Sequence, residues 1–335
     1  MSRQTTQYDP VFGYRFIPGL KARVPHETGG FLLATNEAGF RSDRAFEASC
    51  PPGHRRVLVF GDSMTAGDGV ANAQRWTDLI EASCVGLEVF NFGLSGSGTD
   101  QQYLIWRECA GGIEHDLVIL PVFVENIRRI QARYRTYLDE NGQRVVYAKP
   151  YFELRGDTLE LRHVPPSPRH WLESEFPASE AGEIDHGGRY PLLREIVTKM
   201  GARELLQRVT RYQPVPEYDA PTHAGWRLMR AILKRWILDI PKPVLLMPIP
   251  MHQHVEGVSD AEPYRARFRE LASETGCLLH DLLPDLQSYP EGERRSFRFA
   301  HDPHPTRRGH EVLAASLRPA LSAALGNLPL PMAVR

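Results

Sequence analysis

Apolar positions along this chain fall into two patterns, short unbroken runs and spaced stripes. The runs occupy 56–60, 87–92, 116–123, 243–249 and 277–282. Each is five to eight residues long and apolar nearly throughout, as a strand covered on both faces requires. Between the runs the period changes. In 74–83, Trp76, Leu79 and Ile80 recur at helical spacing, and 99–110 forms a second such stretch. Segment 223–238 sets Trp226, Met229, Leu233, Trp236 and Ile237 on one stripe, and 261–275 continues the theme. Residues 306–325 carry Leu313, Leu317, Leu321 and Leu325 at four-residue intervals, with Pro319 expected to kink or shorten that closing helix. Strand, helix and strand in short alternation imply right-handed crossovers and a parallel sheet. The expected class is α/β: a three-layer α/β/α domain on a five-stranded parallel sheet.

Two segments break the alternation. Residues 1–50 are rich in Gly, Pro and aromatics, show no period, and are expected to form an extension packed on the core domain of 51–335. Within them Asn36-Glu37-Ala38-Gly39-Phe40-Arg41 suggests an ordered turn. The second segment is an insertion from about 128 to 222, longer than any ordinary connection. Tyr151–Leu154 and Thr158–His163, joined through Arg155-Gly156-Asp157, predict a β-hairpin that Pro165, Pro166 and Pro168 end. An insertion above the carboxyl ends of strands is expected to serve as a lid or substrate wall.

Composition narrows the function classes. The 335 residues hold 40 basic and 41 acidic side chains, a net charge of −1, so no global field recruits nucleic acid or an anionic membrane. No apolar run approaches the ~20 residues of a membrane span. The first ten residues lack the apolar centre of a secretory signal, and a cytoplasmic location is expected, although a chain trimmed of its leader would read the same. Cys50, Cys84, Cys109 and Cys277 are scattered without C-x-x-C spacing and read as reduced thiols.

The first run ends abruptly. Val57-Leu-Val-Phe-Gly-Asp-Ser63 takes a buried strand into a small, turn-prone triplet, which sets Ser63 at the carboxyl end of the sheet, where open α/β folds carry their chemistry. A serine there is a candidate nucleophile if the chain supplies a base and an oxyanion site. Three further segments complete a pattern: Asn91-Phe-Gly-Leu-Ser-Gly96-Ser-Gly-Thr99 after the second strand, Val124-Glu125-Asn126-Ile127 after the third, and Asp302-Pro303-His304-Pro305 before the last helix. In this order and strand context the chain resembles the SGNH hydrolases, or GDSL esterase/lipase superfamily, over roughly residues 56–125 and 240–325. The resemblance implies a flavodoxin-like SGNH fold and a serine esterase with no cofactor. In it Ser63 attacks an acyl carbon, His304 is the general base and acid, and Asp302 orients the imidazole. The Ser63 and Gly96 N–H groups and the Asn126 amide would hold the oxyanion.

The pattern departs from the superfamily in two places. Asp302 and His304 are spaced D-x-H rather than D-x-x-H, a spacing also found in some branches. In the third block an ungapped alignment puts Glu125, not Asn126, at the oxyanion position. A carboxylate there would repel the oxyanion, so Asn126 is preferred with a one-residue shift.

Asp62, Glu125, Arg129, His252 and His254 remain possible substrate contacts, with surface exposure the default for the two histidines and turn bracing the stronger reading for Asp62. Asp302 has a rival role as a helix-opening residue near Thr306. Asp100-Gln101-Gln102 is expected to open a helix on the rim of the site. The basic run Arg128, Arg129, Arg133 and Arg135 reads first as a solvated lid face, and second as a contact for an anionic or polyhydroxylated ligand. His301, Asp302, His304 and His310, with His252 and His254, lack any H-E-x-x-H or supporting ligand pattern, and no metal site is expected. Gly61–Gly69 contains no Gly-Lys-Ser/Thr, which excludes a P-loop. The expected substrate is an O-acyl ester of a saccharide or small metabolite. Transfer of the acyl group to a glycan by the same triad, or a non-catalytic saccharide-binding module, stand as alternatives.

Overall fold

The computed structural model describes residues 4–138, 143–180, 182, 184–185 and 212–326. At its centre lie five parallel strands: β5 (Arg55–Val59), β6 (Leu87–Asn91), β7 (Leu117–Phe123), β14 (Val244–Ile249) and β15 (Leu278–Leu279). They stand in the order β15-β14-β7-β5-β6. The apolar runs form this sheet because a strand covered on both faces has no polar side to present; all seven residues of β7 are buried. Strand order reverses direction at the β5–β7 pair. In an open α/β sheet the crevice at such a switch point lies above the carboxyl ends of both strands, here above Ser63 and Asn126.

Helices cover the sheet where the stripes predict them: α2 (Trp76–Ser83), α3 (Thr99–Cys109), α5 (Ala224–Asp239), α7 (Glu262–Thr275) and α8 (Arg307–Ala324). Right-handed crossovers put α2 and α3 on opposite faces. The α8 helix packs on α2, and α5 packs on α3 and α7. The expected stripe on α5 is buried in full, Trp226, Met229, Leu233 and Trp236 at 1% exposure or less. Short helices α1 (Ser63–Ala66), α4 (Asn126–Arg129) and α6 (His252–Val255) follow β5, β7 and β14. Pro319 does not shorten α8, which runs on through it. Packing of its buried Leu313, Leu317 and Leu321 outweighs the single hydrogen bond that proline removes.

Residues 4–50, which showed no period, form two hairpins, β1 (Thr6–Asp9) with β2 (Gly13–Phe16) and β3 (Lys21–Val24) with β4 (Phe31–Ala34). Four-residue strands are too short to display alternation, which hid them. The Asn36–Arg41 turn is ordered as expected: the Asn36 carboxamide accepts the Ala38 and Phe40 N–H groups. In the insertion, β10 (Tyr151–Arg155) and β11 (Thr158–Arg162) form the expected hairpin, with Gly156 at φ +60° in its turn. The reading missed a second sheet there, made of β8 (Tyr134–Leu138), β9 (Arg144–Ala148), β12 (His170–Leu172) and β13 (Ile184–Asp185) in the order β12-β9-β8-β13. Among the described residues no helix is long and apolar enough to cross a membrane.

Candidate active site

The turn after β5 is built to a single shape. Asp62 caps α1, its carboxylate accepting the Met64 N–H at 3.0 Å, and Gly67 closes the turn in the left-handed region at φ +81°. A Cβ on Gly61 would lie 2.2 Å from Thr65 Oγ1, so only glycine lets strand and turn approach this closely. The loop after β6 packs against the same turn. Asn91 at the end of β6 donates to Thr65 O at 2.8 Å and accepts from the Gly93 N–H. Ser63 therefore sits as the first residue of a short helix, where backbone N–H groups have no intrahelical acceptor.

His304 reaches this serine from the opposite end of the sequence. Its Nε2 lies 2.7 Å from Ser63 Oγ, and its Nδ1 faces Asp302 Oδ1 at hydrogen-bond distance. The D-x-H spacing closes because Asp302 Oδ1 also accepts the His304 backbone N–H at 2.9 Å. That local turn brings the carboxylate back onto the ring two residues away. Asp302 does not open the helix: Thr306 does, its hydroxyl accepting the Gly309 N–H. Burial pulls the His304 imidazole down, but the Asp302 hydrogen bond and the charges of Asp68, Asp302 and Asp62 outweigh it, leaving the ring above its ordinary pKa. Burial alone would raise Asp302, yet the His304 hydrogen bonds and charge, with His26 nearby, bring it down to about 2.

The two residues of the third block have different surroundings. Asn126 opens α4 and is fully buried, and neither its amide nitrogen nor its oxygen has a hydrogen-bond partner among the described residues. A buried unpaired amide costs roughly 1–3 kcal/mol, a cost that a ligand oxygen would relieve. Glu125 is only partly buried and faces Arg129 at 4.0 Å. Gly96 takes a positive φ of 82° between Ser95 and Ser97, and its N–H finds no acceptor among the described residues.

Several expected ligand contacts are otherwise engaged. Asp62 is fully buried and pairs with Arg129 Nη1 at 2.9 Å, so the structure gives these two to each other rather than to a substrate. His254 is buried against Tyr264 with its pKa pushed down to about 4 by desolvation, a neutral core residue rather than a contact. His252 lines an apolar cavity with Met64, Phe123, Pro303 and Pro305. The basic run is paired while only partly solvated: Arg129 is buried, and Arg128, Arg133 and Arg135 are half-exposed. Arg128 pairs with Glu217, Arg129 with Asp62, Arg133 with Glu153, and Arg135 donates to the Gly96 carbonyl. Asp100 lies fully buried against Lys149 of the insertion, not on a rim. Among the described residues no group of three or more His, Cys, Asp or Glu is placed to hold a metal ion.

The reading also missed the contribution of residues 4–50. His26 Nε2 lies 3.4 Å from Asp302 Oδ2, and its ring stands edge-on to Phe299 at 4.3 Å. Glu27 accepts the N–H groups of Ala300 at 2.7 Å and His301 at 2.9 Å, so the β3–β4 turn grips the loop that carries His304. Arg41 is fully buried and donates to Gly67 O, Val70 O and Asn72 Oδ1 behind the serine turn. Nothing local in the sequence signals these contacts. Glu27→Ala is expected to lower unfolding free energy by about 1 kcal/mol, since two exposed charge-assisted hydrogen bonds are lost to competing water. Urea denaturation measures it, and an unchanged midpoint would show that the grip carries no stability.

Residues 59–312 match the family described as the GDSL-like Lipase/Acylhydrolase family. No curated protein matches the chain. Among solved structures, a lipase/acylhydrolase from Enterococcus faecalis is similar at 15% identity and TM-score 0.44, covering 83% of this chain and 100% of its own. A member of the lipolytic G-D-S-L family from Veillonella parvula is similar at 13% identity and TM-score 0.43, with 80% and 98% covered. A catalytic mutant of an acetylxylan esterase from Geobacillus stearothermophilus stands at 14% identity and TM-score 0.43, with 83% and 97% covered.

Proposed function

The chain belongs to the GDSL-like lipase/acylhydrolase family, and from that premise we propose that it is a serine ester hydrolase working through an acyl-enzyme on Ser63. The observation that carries the reading is the line Ser63 Oγ, His304 Nε2, His304 Nδ1, Asp302, closed at hydrogen-bond distance throughout. An alcohol is barely nucleophilic at neutral pH, so attack requires the proton to leave as the bond to the acyl carbon forms. His304 Nε2 takes that proton, and Asp302 holds the ring in the tautomer that presents a lone pair to Ser63 while stabilising the imidazolium. The Ser63 and Gly96 N–H groups and the Asn126 amide face the developing oxyanion. The imidazolium then protonates the departing alkoxide. Water enters and bonds the acyl carbon as it gives a proton to His304, and the imidazolium returns that proton to Ser63 Oγ as the acid leaves.

The favoured substrate is an O-acyl ester of a saccharide or small metabolite. The reading is supported by the character of the insertion, where Arg135, Tyr137 and Tyr147 lie on neighbouring β8 and β9 positions leading away from Gly96. Rings and a guanidinium suit a hydroxyl-rich ligand better than an acyl tunnel. A fluorophosphonate probe tests the reaction class: it labels the wild-type chain and not Ser63→Ala. Absence of labelling in the wild type, with saccharide binding intact, would instead favour a non-catalytic binding module.

A further inference from the structure

We propose that Tyr14 is a positioning residue for the oxyanion site, its hydroxyl fixing the direction in which the Gly96 N–H points; the proposal rests on the serine-hydrolase reading above. Residues 94–97 form a tight turn closed by the Ser97 N–H on Leu94 O at 3.1 Å, with Gly96 in the third position at φ +82°. The two commonest turn types differ mainly by a flip of their central peptide, which here joins Ser95 to Gly96. Glycine in the third position favours the observed form with positive φ but is also compatible with the other, so it permits the flip without enforcing it.

Tyr14 supplies the choice. Its hydroxyl, on β2, donates to the Ser95 carbonyl at 2.8 Å. In a planar trans peptide the carbonyl and the following N–H point in opposite directions. Holding Ser95 C=O toward Tyr14 therefore turns the Gly96 N–H away from it, and that N–H has no acceptor among the described residues. The next peptide is held as well, since the Gly96 carbonyl accepts from Arg135 of β8. The fit leaves little slack: a Cβ on Gly96 would lie 3.1 Å from Tyr14 Oη and 3.2 Å from Arg135 Nη2. Tyr14 is itself fixed by pairing with Tyr8 and by its ring standing edge-on to Tyr137 at 5.5 Å. The Ser95 and Gly96 carbonyls are thus held by the two additions to the central sheet, one by the first hairpin and one by the insertion.

The test is steady-state hydrolysis of p-nitrophenyl acetate by Tyr14→Phe, which removes the hydroxyl and keeps the ring. Loss of a whole oxyanion donor costs roughly 100- to 1,000-fold in kcat, and misdirection of one that remains present is expected to cost about 30-fold with KM within about threefold. Affinity for a trifluoromethyl ketone, which forms the oxyanion on Ser63, should fall by a similar factor. Placing 4-aminophenylalanine at position 14 restores a donor and is expected to recover most of kcat. If Tyr14→Phe does not fold, 4-fluorophenylalanine fills the hydroxyl's volume without donating and should show the same loss. Wild-type kcat in the non-donating variant, or no recovery with the amino variant, overturns the proposal. Ser63→Ala is assayed alongside: retained hydrolysis there defeats the serine reading itself, whereas a dead Ser63→Ala beside a fully active Tyr14→Phe defeats the positioning role alone.

Discussion

His304→Ala is expected to lower kcat for ester hydrolysis by roughly 10⁶-fold, about 8 kcal/mol of transition-state stabilisation. The loss is that large because Ser63 has no other base within reach in the geometry described: Nε2 at 2.7 Å is its hydrogen-bond partner. Asp302→Asn keeps the shape but offers the wrong partner to Nδ1, and about 10⁴-fold in kcat is expected. The pH profile gives an independent check. His304 acts as a base only when neutral, and its pKa lies above the ordinary 6.5: burial pulls it down, but Asp302, Asp68 and Asp62 outweigh that pull. Activity should therefore be lost as pH falls through a midpoint above 6.5 and be full on the alkaline side. In Asp302→Asn the hydrogen-bonded anion is gone, so the midpoint moves to lower pH. A wild-type midpoint well below 6.5, or an active His304→Ala, would remove His304 from the role of base.

Asn126→Ala is expected to cost roughly 100- to 1,000-fold in kcat, about 2.7–4 kcal/mol, as for loss of one oxyanion donor. Glu125→Gln should change kcat by no more than about twofold, because a partly exposed charge 4.0 Å from one arginine contributes little. The pair of variants decides between neighbouring residues that spacing alone could not separate. Folding offers a control. Among the described residues the Asn126 side chain has no protein partner to orphan, so its truncation should leave thermal stability nearly unchanged while activity collapses. Near-normal kcat in Asn126→Ala, or a large loss in Glu125→Gln, would reverse the assignment.

The parts of this molecule legible in its sequence are those set by local periodicity or by chemistry within a few residues. The Trp226-to-Ile237 stripe reads directly as a buried helix face, and β7 as a strand with no exposed side. Ser63 is legible as a candidate because strand, turn and serine are contiguous, and Asp302 with His304 because they share a turn. Contacts between distant segments were not legible. Arg129 was read with a basic run because charge is normally solvated, yet its partner Asp62 lies 67 residues away and both are buried. From its place after β14, His254 reads by default as exposed and secondarily as a substrate contact, but the chain turns it into the core against Tyr264. The insertion sheet was hidden because β8 and β9 carry tyrosine, arginine and valine on adjoining positions, which blurs any alternation.

The grip of the β3–β4 turn on the His304 loop bears on how the molecule comes into being. Glu27 meets Ala300 and His301 across 273 and 274 residues, and Ser63 meets His304 across 241. Contacts so distant cannot form until nearly the whole chain has been made and gathered, and loops of that span are among the slowest to close. A helix such as α5 can begin to organise from its own stripe, but the hydrogen-bond partner of Ser63 comes only from a distant segment. On the proposed reading, catalytic competence is therefore a property of the finished fold: during synthesis Ser63 stands without His304, and the pair forms only when the early and late segments meet.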